Sequence, residues 1–411
     1  MKTKLQLAFA FILCVTFLNA QETVVNTSLG AGYANQVYYK LDTETETSFV
    51  ANSWDIAFLR TSAFSIGIRV NSNIEVFEAA SSAADWATID VANEGDWTQL
   101  YNSDTEWGNG AFDQGSATYG WGEYNPANHH VIGSIIFVLK YADGTYRKFI
   151  NEDFYGGYSI KYATWDDVNE TWSADVTATI SSSNNPNNTY NYYSLVNEAE
   201  IVAEPATTDW DFVFTKYIDL GIVYPVTGVL HSAEVTVAQN EETSGMPANP
   251  SLSYSEEINT IGYDWKSLNA TYTYDVDNTQ AYYVKYADDT VYRLYFTAFA
   301  GSSTGDLSFA FENVTALLGF DDVNENVSFG VYPNPSTDKR INLIYDVNKL
   351  SSNKNQVSVY AVTGKKVFEK SLNTNSGFYN KTLDLSALSS GVYVLQFTTG
   401  DSNITKKIIL N

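Results

Sequence analysis

A pattern built on Trp-Asp occurs twice in this chain and constrains its fold more than any other feature. Trp54-Asp55-Ile56-Ala57-Phe58 returns as Trp210-Asp211-Phe212-Val213-Phe214, each after a Tyr-rich stretch. Phe137-Val138-Leu139-Lys140-Tyr141-Ala142-Asp143-Gly144-Thr145-Tyr146-Arg147 returns as Tyr283-Val284-Lys285-Tyr286-Ala287-Asp288-Asp289-Thr290-Val291-Tyr292-Arg293. Gly157-Tyr158-Ser159-Ile160-Lys161-Tyr162 is answered by Gly305-Asp306-Leu307-Ser308-Phe309-Ala310. Three matches in one order point to one structural unit used twice, over 22–180 and 189–316. The spacing between the first and second motifs differs, as loop insertions would make it. The Ser/Asn stretch 181–188 reads as the joint between the units, and a second joint falls at 319–326.

Both units read as β. Tyr, Phe, Val, Ile and Thr dominate, alternation is common, and no long amphipathic helix follows the N-terminus. Ala142-Asp143-Gly144-Thr145 predicts a hairpin with a tight primed turn, since Asp-Gly accepts positive φ. A lone hairpin is unstable, so each unit is expected to close a multi-strand sheet or sandwich. Residues 328–411 form a third region of short alternating strands, with turns at Thr363-Gly364 and Ser390-Gly391, that predicts a small β-sandwich.

Charge separates these regions. The chain of 411 residues carries 23 Lys/Arg against 48 Asp/Glu, a formal charge of -25. Residues 328–411 hold 10 basic and 5 acidic residues, whereas 21–327 hold 11 basic and 43 acidic. An acidic body repels phosphate backbones and anionic membrane surfaces, so no nucleic-acid partner is expected. Lys2 and Lys4 precede an apolar run from Leu5 to Leu18, too short for a bilayer but right for a secretory signal over 1–20. The cut is expected between Ala20 and Gln21. Cys14 is the only cysteine and lies inside that segment, so the mature chain would have neither disulfides nor thiolate chemistry. No later stretch is apolar enough to cross a membrane as a helix.

The C-terminal motifs run in order to the end of the chain. They are Val331-Tyr332-Pro333-Asn334-Pro335, Val357-Ser358-Val359-Tyr360, Gly364-Lys365, Leu383-Asp384-Leu385-Ser386-Ala387-Leu388, Gly391-Val392-Tyr393 and Lys406-Lys407-Ile408-Ile409. With them, residues 328–411 resemble the type A sorting domain of the type IX secretion system. The resemblance implies recognition by that machinery, export across the outer membrane, removal of the domain, and release or surface attachment of the body. Tyr332, Pro333, Asn334, Pro335, Gly364, Gly391, Tyr393 and Lys407 are the positions that carry it.

The Trp-Asp motifs, Tyr224-Pro225-Val226-Thr227-Gly228-Val229-Leu230 and the Lys-Tyr-Ala-Asp hairpins give the body a similarity to the HmuY-like haem-binding family, as two tandem copies. Ile68-Arg69-Val70-Asn71 stands in the first unit where the second has Val226-Thr227-Gly228-Val229. Members of that family are all-β and secreted or surface-exposed, and the resemblance implies haem as a candidate ligand. Iron needs axial side chains, normally His or Met. The mature chain offers His129, His130, His231 and Met246. His129 and His130 are neighbours, so on a strand they point to opposite faces. A bis-His site would need one of them to meet His231, or a His to pair with Met246. The plainer reading is that these are loop histidines.

Trp54 and Trp210 read as core anchors, with Asp55 and Asp211 bonding a neighbouring turn. Trp86, Trp97, Trp107 and Trp121 in the first unit's long insert read either as sheet packing or as platforms for sugar or porphyrin. The acidic runs at 275–278 and 321–326 lack the spacing of an EF-hand loop and read as solvated loops. There is no Gly-x-Ser-x-Gly, phosphate loop or His-Glu-x-x-His, so an enzyme is not expected. The sequence thus predicts an exported ligand-binding protein, with a carbohydrate-adhesive or structural surface protein as the alternative.

Overall fold

The computed structural model describes residues 22–61, 66–247, 250–315, 318, 327–347, 355–373, 377–399 and 402–411. The signal segment and the joint and acidic run near 319–326 lie outside the described residues. Strands, turns and short 3-10 turns make up the rest, so the protein is all-β. It divides into two compact units, one through Thr315 and one from Ala316.

Four larger sheets and a two-stranded one, Lys266–Leu268 with Tyr274–Val276, build the first unit. One outer sheet has nine strands. Along it Gly157–Asp166, Tyr146–Phe154, Ile136–Tyr141 and Ile74–Ala80 lie side by side, and Val176–Ser181 pairs with Gly157–Asp166. The other outer sheet runs Thr23–Ser28, Asp306–Asn313, Val291–Phe299, Gln280–Tyr286, Val235–Glu241. A first inner sheet runs Ala199–Ile201, Tyr190–Ser194, Ile56–Leu59, Ile68–Val70. A second inner sheet runs Tyr224–His231, Phe212–Asp219, Asn35–Lys40, Thr45–Val50.

Side-chain alternation stacks these sheets. Ile56 and Phe58 face the nine-stranded sheet and pack with Phe137, Leu139 and Phe149, while Ala57 and Leu59 turn to the middle of the molecule. Val37 and Tyr39 pack with Tyr282, Leu294 and Phe309 of the five-stranded sheet, and Tyr38 turns to the middle. Both faces of the inner sheets are therefore covered. That is why Ile56-Ala57-Phe58-Leu59 is buried at every position and reads as an unbroken apolar run. The tryptophans of the insert pack. Trp121 is fully buried in the first core, Trp86 and Trp97 lie over the outer face of the nine-stranded sheet, and Trp107 packs into both central clusters.

The two halves of the sequence do not occupy separate lobes. Asn35–Lys40, from the first half, pairs with Phe212–Asp219, from the second. Tyr190–Ser194, from the second half, pairs with Ile56–Leu59, from the first. Thr23–Ser28 likewise closes the sheet built from 235–313. The intervening stretch 181–188 is fastened rather than loose. The Arg60 guanidinium donates to the carbonyls of Ser182, Pro186 and Asn188 at 3.2, 3.0 and 2.8 Å.

Local details depart from expectation in two places. Gly144 has φ 88°, but Asp143 is not among the positive-φ residues, and Gly144 N–H donates to the Tyr141 carbonyl. The turn is therefore of type I with a left-handed bulge residue, not a primed two-residue turn. Register also shifts the alignment of the inner strands. Ile68 and Arg69 oppose Phe58 and Ala57, while Val229 and Leu230 oppose Phe214 and Val213. Ile68-Arg69 thus corresponds to Val229-Leu230, three positions along from the pairing by motif.

The second unit is a sandwich of a three-stranded and a four-stranded sheet. Ile341, Leu343, Tyr345, Val357, Val359, Leu383, Leu395, Phe397 and Ile408 form its core.

Candidate ligand-binding cleft

A cleft of about 120 Å³ opens where the two inner sheets face each other. The inner strands place Tyr38, Ala57, Tyr192, Val213 and Leu230 at its base. Loops supply the rim. Amides line it (Asn35, Asn71, Asn73, Gln99, Asn102), as do rings (Tyr33, Trp54, Tyr101, Trp107) and the cations Arg69 and Lys216.

Hydrogen bonds fix most of this lining. Asn71 Nδ2 donates to the carbonyls of Ala51 and Trp54 at 2.7 and 3.0 Å. Its Oδ1 accepts from the Asn73 backbone N–H and from Asn73 Nδ2, both at 3.1 Å. That leaves Asn73 Oδ1 turned to Lys216, whose Nζ donates to it at 3.0 Å. Asn102 mimics a strand edge. Its Oδ1 accepts from Val70 N–H at 3.0 Å and its Nδ2 donates to the Val70 carbonyl at 2.8 Å. Arg69 is buried, stacks 5.3 Å from the Trp107 ring centroid, and donates to the carbonyls of Ser103, Glu106, Trp107 and Asn109. The Trp54 indole N–H is buried with no hydrogen-bond partner.

Two carboxyls beside the cleft are held neutral-leaning by burial. Glu204 accepts from Tyr190 N–H at 2.7 Å and from the Tyr192 hydroxyl at 3.1 Å, and burial pushes its pKa up to about 7. Asp113 accepts from Gly110 and Ile68 N–H at 2.6 and 3.1 Å, and burial likewise raises it to about 7. On the far side of the second core, Lys266 lies over the Trp265 and Phe299 rings, and burial lowers its pKa to about 7. It donates to the Thr227 and Tyr263 carbonyls.

The Trp-Asp pairs do bond neighbouring turns. Asp55 Oδ2 accepts from Leu195 N–H at 2.6 Å, and Asp211 Oδ2 accepts from Leu41 N–H at 2.7 Å. Each aspartate thus grips the turn after the Tyr-Tyr strand that pairs with its own strand.

The histidines lie elsewhere. His129 has φ 64° at the end of the 125–129 turn, and the Tyr124 hydroxyl meets its Nδ1 at 2.6 Å. His130 starts the strand His130–Gly133, with Nδ1 2.8 Å from the Asp153 carboxylate and its ring stacked on Tyr155. His231 ends a strand of a different sheet and is 1 % exposed. Its Nδ1 and Nε2 each lie 2.8 Å from a carbonyl oxygen, of Ser232 and of Glu257. Burial pulls its pKa down against those two carbonyls. Neither ring nitrogen of His231 points into open space where iron could sit. Among the described residues no group of three His, Cys, Asp or Glu is placed to hold a metal. The sequence could not have found the cleft residues as a set, because Asn73, Asn102 and Lys216 come together only through register.

In the second unit the motif residues staple the chain's end to its opening. Asn334 Nδ2 donates to the Lys407 carbonyl at 2.9 Å, and its Oδ1 accepts from Ile409 N–H at 2.8 Å. Ser336 N–H donates to the Ile409 carbonyl, and Asn411 N–H to that of Ser336. Pro333 and Pro335 flank this clamp. The Tyr332 hydroxyl accepts from Asn380 Nδ2, and the Tyr393 hydroxyl donates to the Ser389 carbonyl. Gly364 and Gly391 take positive φ, at 80° and 155°.

Residues 330–411 match a family model described as the secretion system C-terminal sorting domain. No curated protein matches the chain. Among solved structures it has a likeness to "Biofilm associated protein - BSP domain" at 9% identity, covering 95% of this chain and 81% of that one. The TM-score is 0.17, too low to carry an argument. No helix among the described residues is long and apolar enough to cross a membrane. Residues 330–411 are a type IX secretion sorting domain, and this chain is exported by that system to the cell surface or beyond.

Proposed function

We propose that the body is a non-enzymatic surface-displayed module that binds carbohydrate in the cleft between its inner sheets. The observation that carries this reading is the lining itself. Asn35 and Gln99 present side-chain amides at the rim, and Trp54, Tyr101 and Trp107 offer flat apolar faces. Sugars present the same two surfaces, hydroxyl edges and C–H faces. Haem is not favoured, because His231 spends both ring nitrogens on carbonyls.

The test is a glycan array with the full chain, followed by Trp107→Ala and Asn73→Ala. Binding that both substitutions weaken at least tenfold supports the cleft. An array with no hits, or hits that neither substitution changes, sinks it. A haem titration is expected to leave the Soret band unshifted.

We further propose that the body is a duplicated unit whose copies exchange their first two strands, and that the HmuY-like resemblance reflects a shared scaffold. The parallel strand orders support this. Thr23–Ser28 and Asn35–Lys40 complete one sandwich, and Val176–Ser181 and Tyr190–Ser194 complete the other. A protease cut within 181–188 should leave two pieces that co-elute natively. Pieces that separate without denaturant would end the idea.

A further inference from the structure

Resting on the carbohydrate reading, we propose that the cleft selects an acidic sugar, with Lys216 as the residue that meets its carboxylate. The body from 21 to 327 carries 43 acidic residues against 11 basic. The cleft reverses that balance, for its lining holds Arg69 and Lys216 against the single carboxylate of Glu75. Neither cation is spent on an acid. Arg69 donates to four backbone carbonyls, and Lys216 Nζ donates to the amide oxygen of Asn73. By contrast Lys40, Lys140, Lys161, Lys285 and Arg293 each bridge to a carboxylate.

An ammonium has three donors, and one bond to a neutral amide leaves most of its capacity for a ligand. Asn73 is itself oriented by Asn71, so the Lys216 headgroup is held in place before any ligand arrives. That pre-organisation lowers the entropy cost of forming a charge-assisted hydrogen bond. Arg69 adds a buried positive charge beside Trp107 and fixes the 103–109 loop that carries that ring. The long-range field of the body repels anions, so the preference has to be local. It should therefore be visible at physiological salt, where the Debye length is about 8 Å.

The experiment is calorimetric titration of the full chain with trigalacturonate and with neutral galactotriose. We expect the acidic trimer to bind about tenfold tighter. Lys216→Gln should weaken the acidic trimer more than the neutral one and so abolish the preference, and Lys216→Arg should keep it. Equal affinity of the two trimers for the unaltered chain overturns the acidic selection and leaves the carbohydrate reading standing. A preference that survives Lys216→Gln overturns the role of Lys216. Failure of both trimers and of every array glycan removes the two proposals together.

Discussion

Two corners of the body are built on the same Trp-Asp pair and solve the same problem with different chemistry. At both, a buried aspartate accepts the backbone N–H of a leucine after a Tyr-Tyr strand, Leu41 for Asp211 and Leu195 for Asp55. Around Asp211 a full charge pair is assembled. Lys40 Nζ donates at 2.8 Å, the Tyr286 hydroxyl also donates to it, and the ammonium lies 4.7 Å from the Tyr286 ring centroid. At the other corner Ser194 stands where Lys40 would be. Nearby, Arg147 from the outer sheet lies over the Tyr141 ring. The lesson is that the carboxylate holds the geometry of the turn at both corners, while a salt-bridged cation is added only at Asp211 among the described residues.

The comparison is broken most severely by removing the carboxylates. Asp211→Ala leaves Lys40 buried without its counter-ion and should cost about 3–5 kcal/mol in urea unfolding. Asp55→Ala leaves the Leu195 backbone N–H without its acceptor and should cost about 1–3 kcal/mol. Equal losses would show that the Lys40 pair adds nothing.

A smaller effect separates the two central tyrosines. Tyr192 donates to the Glu204 carboxyl, while Tyr38 accepts from the neutral amide of Gln36. Glu204, at about 7 in the folded protein and about 4.3 unfolded, binds more protons when folded. Its contribution is complete below about pH 4.3 and fades as the pH rises through about 7. Melting temperature against pH should therefore slope downward over that window. Glu204→Gln should flatten that part of the curve, and an unchanged slope would remove Glu204 as its source.

The smallest effect lies at the hairpin tips. Asp289 takes the left-handed position, φ 67°, that glycine takes as Gly144 in the other hairpin. Asp289→Gly relieves that backbone at the loss of an exposed ion pair to Lys285, and should stabilise by about 0.5–1 kcal/mol. Destabilisation would mean that the pair outweighs the backbone.

Much of this was readable in advance, and the gaps have physical causes. Strand-forming residues and the Asp-Gly and Asp-Asp turns mark the hairpins, because those signals are local. The aspartates' grip on turns was legible too, since a buried Asp after Trp needs donors. Which turn each one grips was not, because Leu41 and Leu195 each lie 140 or more residues from their aspartate. Arg69 was misaligned by three residues for the same reason, since motif letters carry no register. The cleft depends on Asn73, Lys216 and Asn102 meeting from distant segments, and no spacing along the chain announces that. Asn334 stood in a recognised motif, but its two-point hold on the last strand needed coordinates.

One pairing has a consequence in time. Thr23–Ser28, the first strand, hydrogen-bonds Asp306–Asn313, the last strand of the body. A chain delivered from its N-terminus must keep that opening segment unmated until nearly three hundred further residues have arrived. Closing so long a loop is entropically slow to find and cheap to keep, since the closure cost grows only as the logarithm of length. The final strand therefore acts as the latch of the whole body, and the sorting domain that follows it emerges only once the latch is in reach.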